Sequence, residues 1–384
     1  METLRLEDLP DELILKVFSF LGTRDLICMG QMSNRIRAIS HDEQLWQKIN
    51  LYHEPPKDIL MGGEFMGMKF SNSGSGIAAS GPQFQPVMQR IEKIPARFLK
   101  IAINNGCKYL SLCPREIDGK LELNQVSSLI YLKLHKPHSD SYVNFINYEI
   151  VIAMEELLAS CVSLQKLSMN YLALSLDMVK IISNQIGKTL QVLDLSGCRI
   201  AESYPIKLEP VQIILRNCIN LKEVNFDNTI MSREAIQLLV ENITPSIQIL
   251  SLNYVVSVND ENIRILVNRC KELETLNLAH TPITNQSLLS IIETLKPSLE
   301  QLDIAGTRGI NSTNLLELRA MRKLQVLIGS PPVPIKEQLQ KNLPDLVIHD
   351  FGDNEVEHQK FLEESISASN KNGIWEIKAK PFSN

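Results

Sequence analysis

From about residue 107 to residue 327, leucine-like side chains recur in the spacing L-x-x-L-x-L. The clearest copies are Leu190-Leu193-Leu195, Leu221-Val224-Phe226, Ile247-Leu250-Leu252, Leu273-Leu276-Leu278, Leu299-Leu302-Ile304 and Leu324-Leu327, whose first positions lie 31, 26, 26, 26 and 25 residues apart. Earlier copies, Cys107-Leu110-Leu112, Leu129-Leu132-Leu134 and Leu164-Leu167-Met169, are less evenly spaced. Between the copies a second period runs. Ile263, Leu266, Val267 and Cys270 fall at i, i+3, i+4, i+7, which is one face of a helix. Ile236, Leu239, Val240 and Ile243 do the same behind the cap candidate Ser232, as do Leu288, Ile291, Ile292 and Leu295 behind Asn285. Each unit therefore reads strand, turn, helix.

A period of about 20–29 residues with this motif is that of a leucine-rich repeat, whose units bury their apolar faces against one another. Strands stack about 4.8 Å apart and helices about 8–10 Å apart, so the array bends with the strands inside. The predicted fold is α/β, a horseshoe solenoid. Side chains alternate along a strand, so positions between and after the leucines are expected to face the concavity. They include Asp194, Ser196, Asn225, Asp227, Ser251, Asn253, Asn277, Ala279, Asp303 and Ala305. Asp194, Asp227, Asn253, Asn277 and Asp303 form a polar row with an acidic bias. It suits a polar or basic segment of another protein, or is simply a set of solvated strand positions; on the first reading, substitutions weaken binding at little cost in stability. A surface of this kind argues for binding over catalysis.

Composition narrows the function classes. Thirty-nine basic and forty-four acidic residues give a net charge of −5, which disfavours a nucleic-acid partner. No apolar run reaches the roughly 18 residues of a membrane helix, and Met1–Arg5 does not open a signal peptide, so the expected compartments are nucleus and cytoplasm, with no membrane partner. The seven cysteines form no C-x-x-C and read as buried free thiols. No catalytic, metal or cofactor motif is found. Pro137 splits His135-x-x-His138, adjacent Glu155 and Glu156 diverge by about 100° on a helix, and Gly74-Ser75-Gly76-Ile77-Ala78-Ala79 lacks the preceding strand of a dinucleotide site. The glycine-rich stretch Met61 to Ser80 reads as linker.

The first fifty residues follow another logic. Pro10, Asp11 and Glu12 make a helix start, Leu13, Val17, Phe20 and Leu21 mark an apolar face, and Gly22-Thr23-Arg24-Asp25 breaks the helix before another begins at Leu26. So short a set of helices can hardly bury a core alone, so it needs a partner or the solenoid. Leu9-Pro10-Asp11-Glu12-Leu13, Val17-Phe18, Leu21, Arg35 and Asp42-Glu43-Gln44-Leu45-Trp46 resemble an F-box, the all-α motif by which substrate receptors dock on the adaptor of SCF (cullin-RING) ubiquitin ligases. Ile36 stands where F-boxes commonly have tryptophan. The resemblance implies that Leu9, Pro10, Leu13, Val17 and Phe18 contact the adaptor, with cullin and RING subunits reached through it; Trp46 is expected in the core.

The far end, Asn372-Gly373-Ile374-Trp375-Glu376-Ile377-Lys378, resembles the tail of the S-phase-kinase-associated F-box protein family. That family's tail returns along the concave face, and a small cyclin-kinase-subunit accessory protein helps bind phosphorylated cyclin-dependent-kinase inhibitors. The resemblance implies Phe351 and Trp375 as contacts for substrate or accessory. The family's acidic and basic strand-exit contacts fall at His280 and Gly306, which are departures, with Arg308 nearby as a phosphate partner. The expected organisation is F-box 1–50, linker and cap 51–98, repeats 99–348 and tail 349–384. The expected function is an SCF substrate-recognition subunit, itself no enzyme and using no cofactor, for a cell-cycle substrate. The alternative is a non-ligase scaffold of the same architecture.

Overall fold

The computed structural model describes residues 6, 9–50, 94–113, 117–119, 121–135, 148–200, 205–351, 357, 358 and 361. Contacts divide the chain into two units, residues 1–122 with 134–145, and residues 123–133 with 146–384. The glycine-rich linker, His138 and Trp375 lie outside the described residues.

In the first unit, helix α1 spans Asp11–Phe18, α2 Thr23–Met29, α3 Asn34–Ser40 and α4 Glu43–Trp46. Pro10 sits at the N-cap of α1 with Asp11 and Glu12 in its first turn, where carboxylates meet the positive end of the helix dipole. Ser33 caps α3 by accepting from Ile36 N, and Asp42 caps α4 by accepting from Gln44 N. Ile14, Phe18, Leu26, Ile36, Ile39 and Trp46 form the core, and the Trp46 indole Nε1 donates to Ser40 O at 2.7 Å. Ile36 is fully buried, so the smaller residue at the usual tryptophan position leaves no exposed gap. The strand Lys48–Asn50 then pairs in parallel with Tyr109–Leu112.

The second unit is the repeat array. Strands Lys166–Met169, Val192–Asp194, Glu223–Asn225, Ile249–Ser251, Thr275–Asn277, Gln301–Asp303, Val326–Ile328 and Val347–His349 pair in parallel in that order. The register is constant: Val224 faces Leu250, Leu250 faces Leu276, and Leu276 faces Leu302. A shift of one residue would turn every leucine to the wrong face, so the repeat fixes it. The helices between carry the expected buried faces, among them Ile263, Leu266 and Val267 on Asp260–Arg269, with Cys270 buried at its C-cap. Ser232 caps its helix as expected. The helix Asn285–Leu295 is instead capped by Thr284, one residue earlier than the sequence indicated, because Asp260 of the preceding repeat receives the Thr284 N and Oγ1 bonds and fixes that turn. Cys107, Cys113, Cys161, Cys198, Cys218 and Cys270 are buried free thiols, and Cys28 is exposed. Burial pushes the Cys161 and Cys218 thiols up to about 12, which keeps them unreactive.

Candidate docking surfaces

Helix α1 presents two faces of opposite fate. Ile14 and Phe18, four residues apart, point inward and are fully buried. Leu13, Val17 and Phe20 point outward, 49%, 44% and 82% exposed, with Met32 at 61% in the turn after α2. Of the five residues that the F-box resemblance would put on the docking surface, Pro10, Leu13 and Val17 are exposed, and Leu9 is half-buried. Phe18 is not on the exposed face: the 3.6-residue turn places it with Ile14 under the helix, where it is fully buried. Phe20 and Met32 extend the strip and were not singled out as contacts by sequence. Arg35 fixes the start of α1, its Nη2 donating to Leu9 O at 2.7 Å and to Asp11 Oδ1 at 2.6 Å. A monomer rarely leaves adjacent large apolar side chains in water without a partner for them.

The strand face of the repeats behaves in the reverse way. Asp194, Asp227, Asn253, Asn277 and Asp303 are 1%, 9%, 1%, 8% and 0% exposed, which overturns the alternative reading of them as simply solvated strand positions. The reason is repeat stacking: each carboxylate or amide satisfies groups of its own and adjacent turns. Asp194 accepts from Ser168 Oγ at 2.9 Å and Ser196 N at 3.0 Å. Asp227 Oδ1 accepts from Ser251 Oγ at 2.6 Å and Asn253 N at 2.8 Å. Asn253 Oδ1 accepts from Ala279 N at 2.8 Å, and Asn277 Nδ2 donates to Ser251 Oγ at 3.1 Å. Substituting these residues removes structural bonds, contrary to the expectation of little cost. Burial raises the Asp227 carboxyl to about 7; the bonds from Ser251 and Asn253 oppose that rise, and the charges of Asp194 and Asp303 add to it.

Strand exits carry a column of left-handed residues, Tyr171, Gly197, Asn228, Tyr254, His280 and Gly306. The Tyr254 and His280 rings stack with centroids 4.2 Å apart. The His280 ring lies against Gly306 so closely that a Cβ there would collide with it. The two departures from the family's strand-exit residues thus form one unit, a ring and the glycine that makes room for it. Arg308, exposed two residues on, lines a cavity of about 350 Å³ with Ile304, Ile310, Leu315 and Leu327. Phe351 is half-buried and packs with Phe361 against Ala279, Ala305, Val326 and Ile328.

The sequence search missed His358. Its ring is 2% exposed, and Nε2 donates to Asp303 Oδ2 at 2.8 Å, a carboxylate oxygen being able only to accept. Burial pulls its pKa down, but the hydrogen bond and charge of Asp303, with the charge of Asp227, carry it above the usual histidine value. A lone histidine in a polar tail has no periodic signal that could have marked it.

Known proteins share these features. Residues 103–380 match the family model described as the SKP2 LRR domain, and residues 6–52 match the F-box-like family. The ubiquitin ligase complex F-box protein UFO1 of Saccharomyces cerevisiae is 39% identical over 44 residues, 12% of this chain and 7% of that protein, so the match spans a small part of that relative. Among solved structures, an internalin from Listeria monocytogenes aligns with a TM-score of 0.42 at 14% identity over 67% of this chain and 70% of that one. A Bacteroides fragilis protein aligns with a TM-score of 0.40 at 15% identity over 59% and 67%. The model match over most of the chain decides the family: this chain belongs to the SKP2-type leucine-rich-repeat proteins, with an F-box-like segment before its repeats.

Proposed function

We propose that this chain is the substrate-receptor subunit of an SCF ubiquitin ligase. The observation that carries the reading is the exposed strip of Leu13 and Val17 on an F-box-like helix and Phe20 in the turn after it, in the same chain as SKP2-type repeats. The strip docks an SKP1-type adaptor, which brings cullin and RING subunits. The repeats and the C-terminal segment hold a protein substrate. Catalysis is then proximity: with substrate and charged ubiquitin on one frame, transfer becomes effectively intramolecular, and this chain supplies no nucleophile, base or cofactor.

The finer reading is a phosphorylated cell-cycle substrate, such as a cyclin-dependent-kinase inhibitor, bound in nucleus and cytoplasm with a small accessory protein of the cyclin-kinase-subunit type. Arg308 supports it, as an exposed guanidinium at the rim of a cavity whose lining mixes aliphatic side chains with the hydroxyls of Thr307 and Ser330, suited to a phosphate on a short carbon stem. Asp194, Asp227, Asn253, Asn277 and Asp303 shape the face from within, and Phe351 and Trp375 are its proposed aromatic contacts.

The test is affinity purification of the intact chain beside a Leu13→Asp, Val17→Asp variant, with the proteasome blocked and mass spectrometry as readout. Adaptor and cullin lost from the variant while other partners persist is the expected result, and the persisting partners are candidate substrates. Absence of adaptor and cullin from the intact chain would overturn the ligase reading and leave a repeat scaffold.

A further inference from the structure

The strand face has one depression that its own chain fills. The position held by Asp227 and Asn253 in two repeats is Ala279 and Ala305 in the next two, and the loss of side-chain volume leaves room above the sheet. Phe351 and Phe361 pack into that room, 5.3 Å apart. Beside them lies His358, bonded to the fully buried Asp303 and 5.4 Å from the Phe351 ring. The second oxygen of Asp303 accepts from Ala305 N at 3.0 Å, so the carboxylate is held in place whether or not the histidine is there.

The occupant is a weak match for so acidic a setting. The groups around His358 are Asp303 and Asp227 from the strand face, His280 at 6.0 Å from the strand exit, His349 beyond Phe351, and Glu357 beside it in the chain. The buried Asp303 carboxylate, with the charge of Asp227 beside it, favours a permanent cation, and an imidazole is charged only part of the time near neutral pH. An arginine or lysine would stay charged, and its aliphatic stem would lie along the same rings.

We infer that the Asp303 depression is a recognition site for a basic side chain flanked by aromatic residues in a protein partner, and that His358 with Phe351 and Phe361 is an internal occupant competing for it. The inference deepens the substrate-receptor reading, on which it rests only for the partner's role. The competition has a pH signature. Protonated His358 holds the site, so the hold is present at low pH and is lost as pH rises through its elevated pKa, while arginine on the competitor stays charged throughout.

The test uses the full chain in complex with an SKP1-type adaptor and a fluorescein-labelled Gly-Phe-Arg-Phe-Gly peptide, read by anisotropy at pH 6 and pH 8.5. The intact chain should bind roughly tenfold more tightly at pH 8.5, as expected when one titrating competitor leaves. His358→Ala should bind more tightly than the intact chain at pH 6 and keep only the smaller pH dependence that Asp227 contributes in the same window, and Asp303→Asn should bind at neither value. Melting curves establish that the variants fold; should Asp303→Asn fail, Ala305→Leu, which fills the depression from the sheet side, takes its place. His358→Ala binding no better than the intact chain at pH 6, or unimpaired binding by the Asp303 or Ala305 variant, would overturn the inference. Adaptor retention, measured on the same samples, reports on the ligase reading separately.

Discussion

Helix α1 and the strand face invert the usual arrangement of side chains in opposite directions. The helix and the turn after it leave Leu13, Val17 and Phe20 in water while the strand face buries Asp194, Asp227 and Asp303. The helix can expose apolar groups cheaply because its other face, Ile14 and Phe18, already anchors it. The strand face can bury carboxylates because backbone N–H groups and hydroxyls of successive repeats point at them, and a satisfied polar group costs far less to bury than an orphaned one. One unit therefore exposes apolar side chains, and the other orders a buried polar framework.

The contrast is broken most sharply at its anchors. Phe18→Ala should cost about 3–5 kcal/mol as a fully buried aromatic is deleted, read by chemical denaturation. Leu13→Ala with Val17→Ala, on the same helix, should change stability by no more than about 0.5 kcal/mol per site while adaptor affinity falls by tens of fold, read by calorimetric titration. Comparable stability losses in the two variants would remove the distinction between the faces of α1. On the strand face, Asp227→Ala should cost about 1–3 kcal/mol, because Ser251 Oγ and Asn253 N lose their acceptor.

Asp227 also sharpens the contrast through pH. Its folded-state pKa of about 7 exceeds the unfolded carboxylate value of about 3.9, so the folded chain binds the extra proton. That contribution is full below the unfolded value and is lost as pH rises through about 7. Asp227→Asn should flatten the fall in melting temperature across that window; Glu223, likewise raised to about 7 by burial, keeps its share. An unchanged slope would mean the carboxyl is not buried in solution. The smallest effect belongs to Arg35→Ala. Its pair with Asp11 is exposed and worth about 0–1 kcal/mol, though loss of the bond to Leu9 O should loosen the start of α1 and lower adaptor affinity more than stability.

Much of the framework was legible beforehand. The 26-residue period identified strand, helix and register, because leucines at fixed spacing have one way to share a core across neighbouring repeats. Ser232 was readable as a cap, whereas Thr284 was not, since Asp260 in the preceding repeat determines that turn. On α1 the apolar positions were visible, but their division was not: Phe18 and Val17 are both apolar neighbours, and only packing against the other helices turns one in and leaves the other out.

The strand face shows the limit most clearly. Alternation along a strand correctly assigned Asp194, Asp227 and Asp303 to the side away from the leucines, yet side alone does not fix exposure. Sequence by itself determined the repeat, the F-box-like segment before it and the family resemblance, because each is written in local spacing. Only the tertiary structure decided that the acidic row is a hydrogen-bonded framework, that alanines at 279 and 305 open a depression, and that His358 fills it. Those contacts join residues as much as 55 positions apart, and which distant groups meet is set by how repeats stack and where the chain returns, which no local period records.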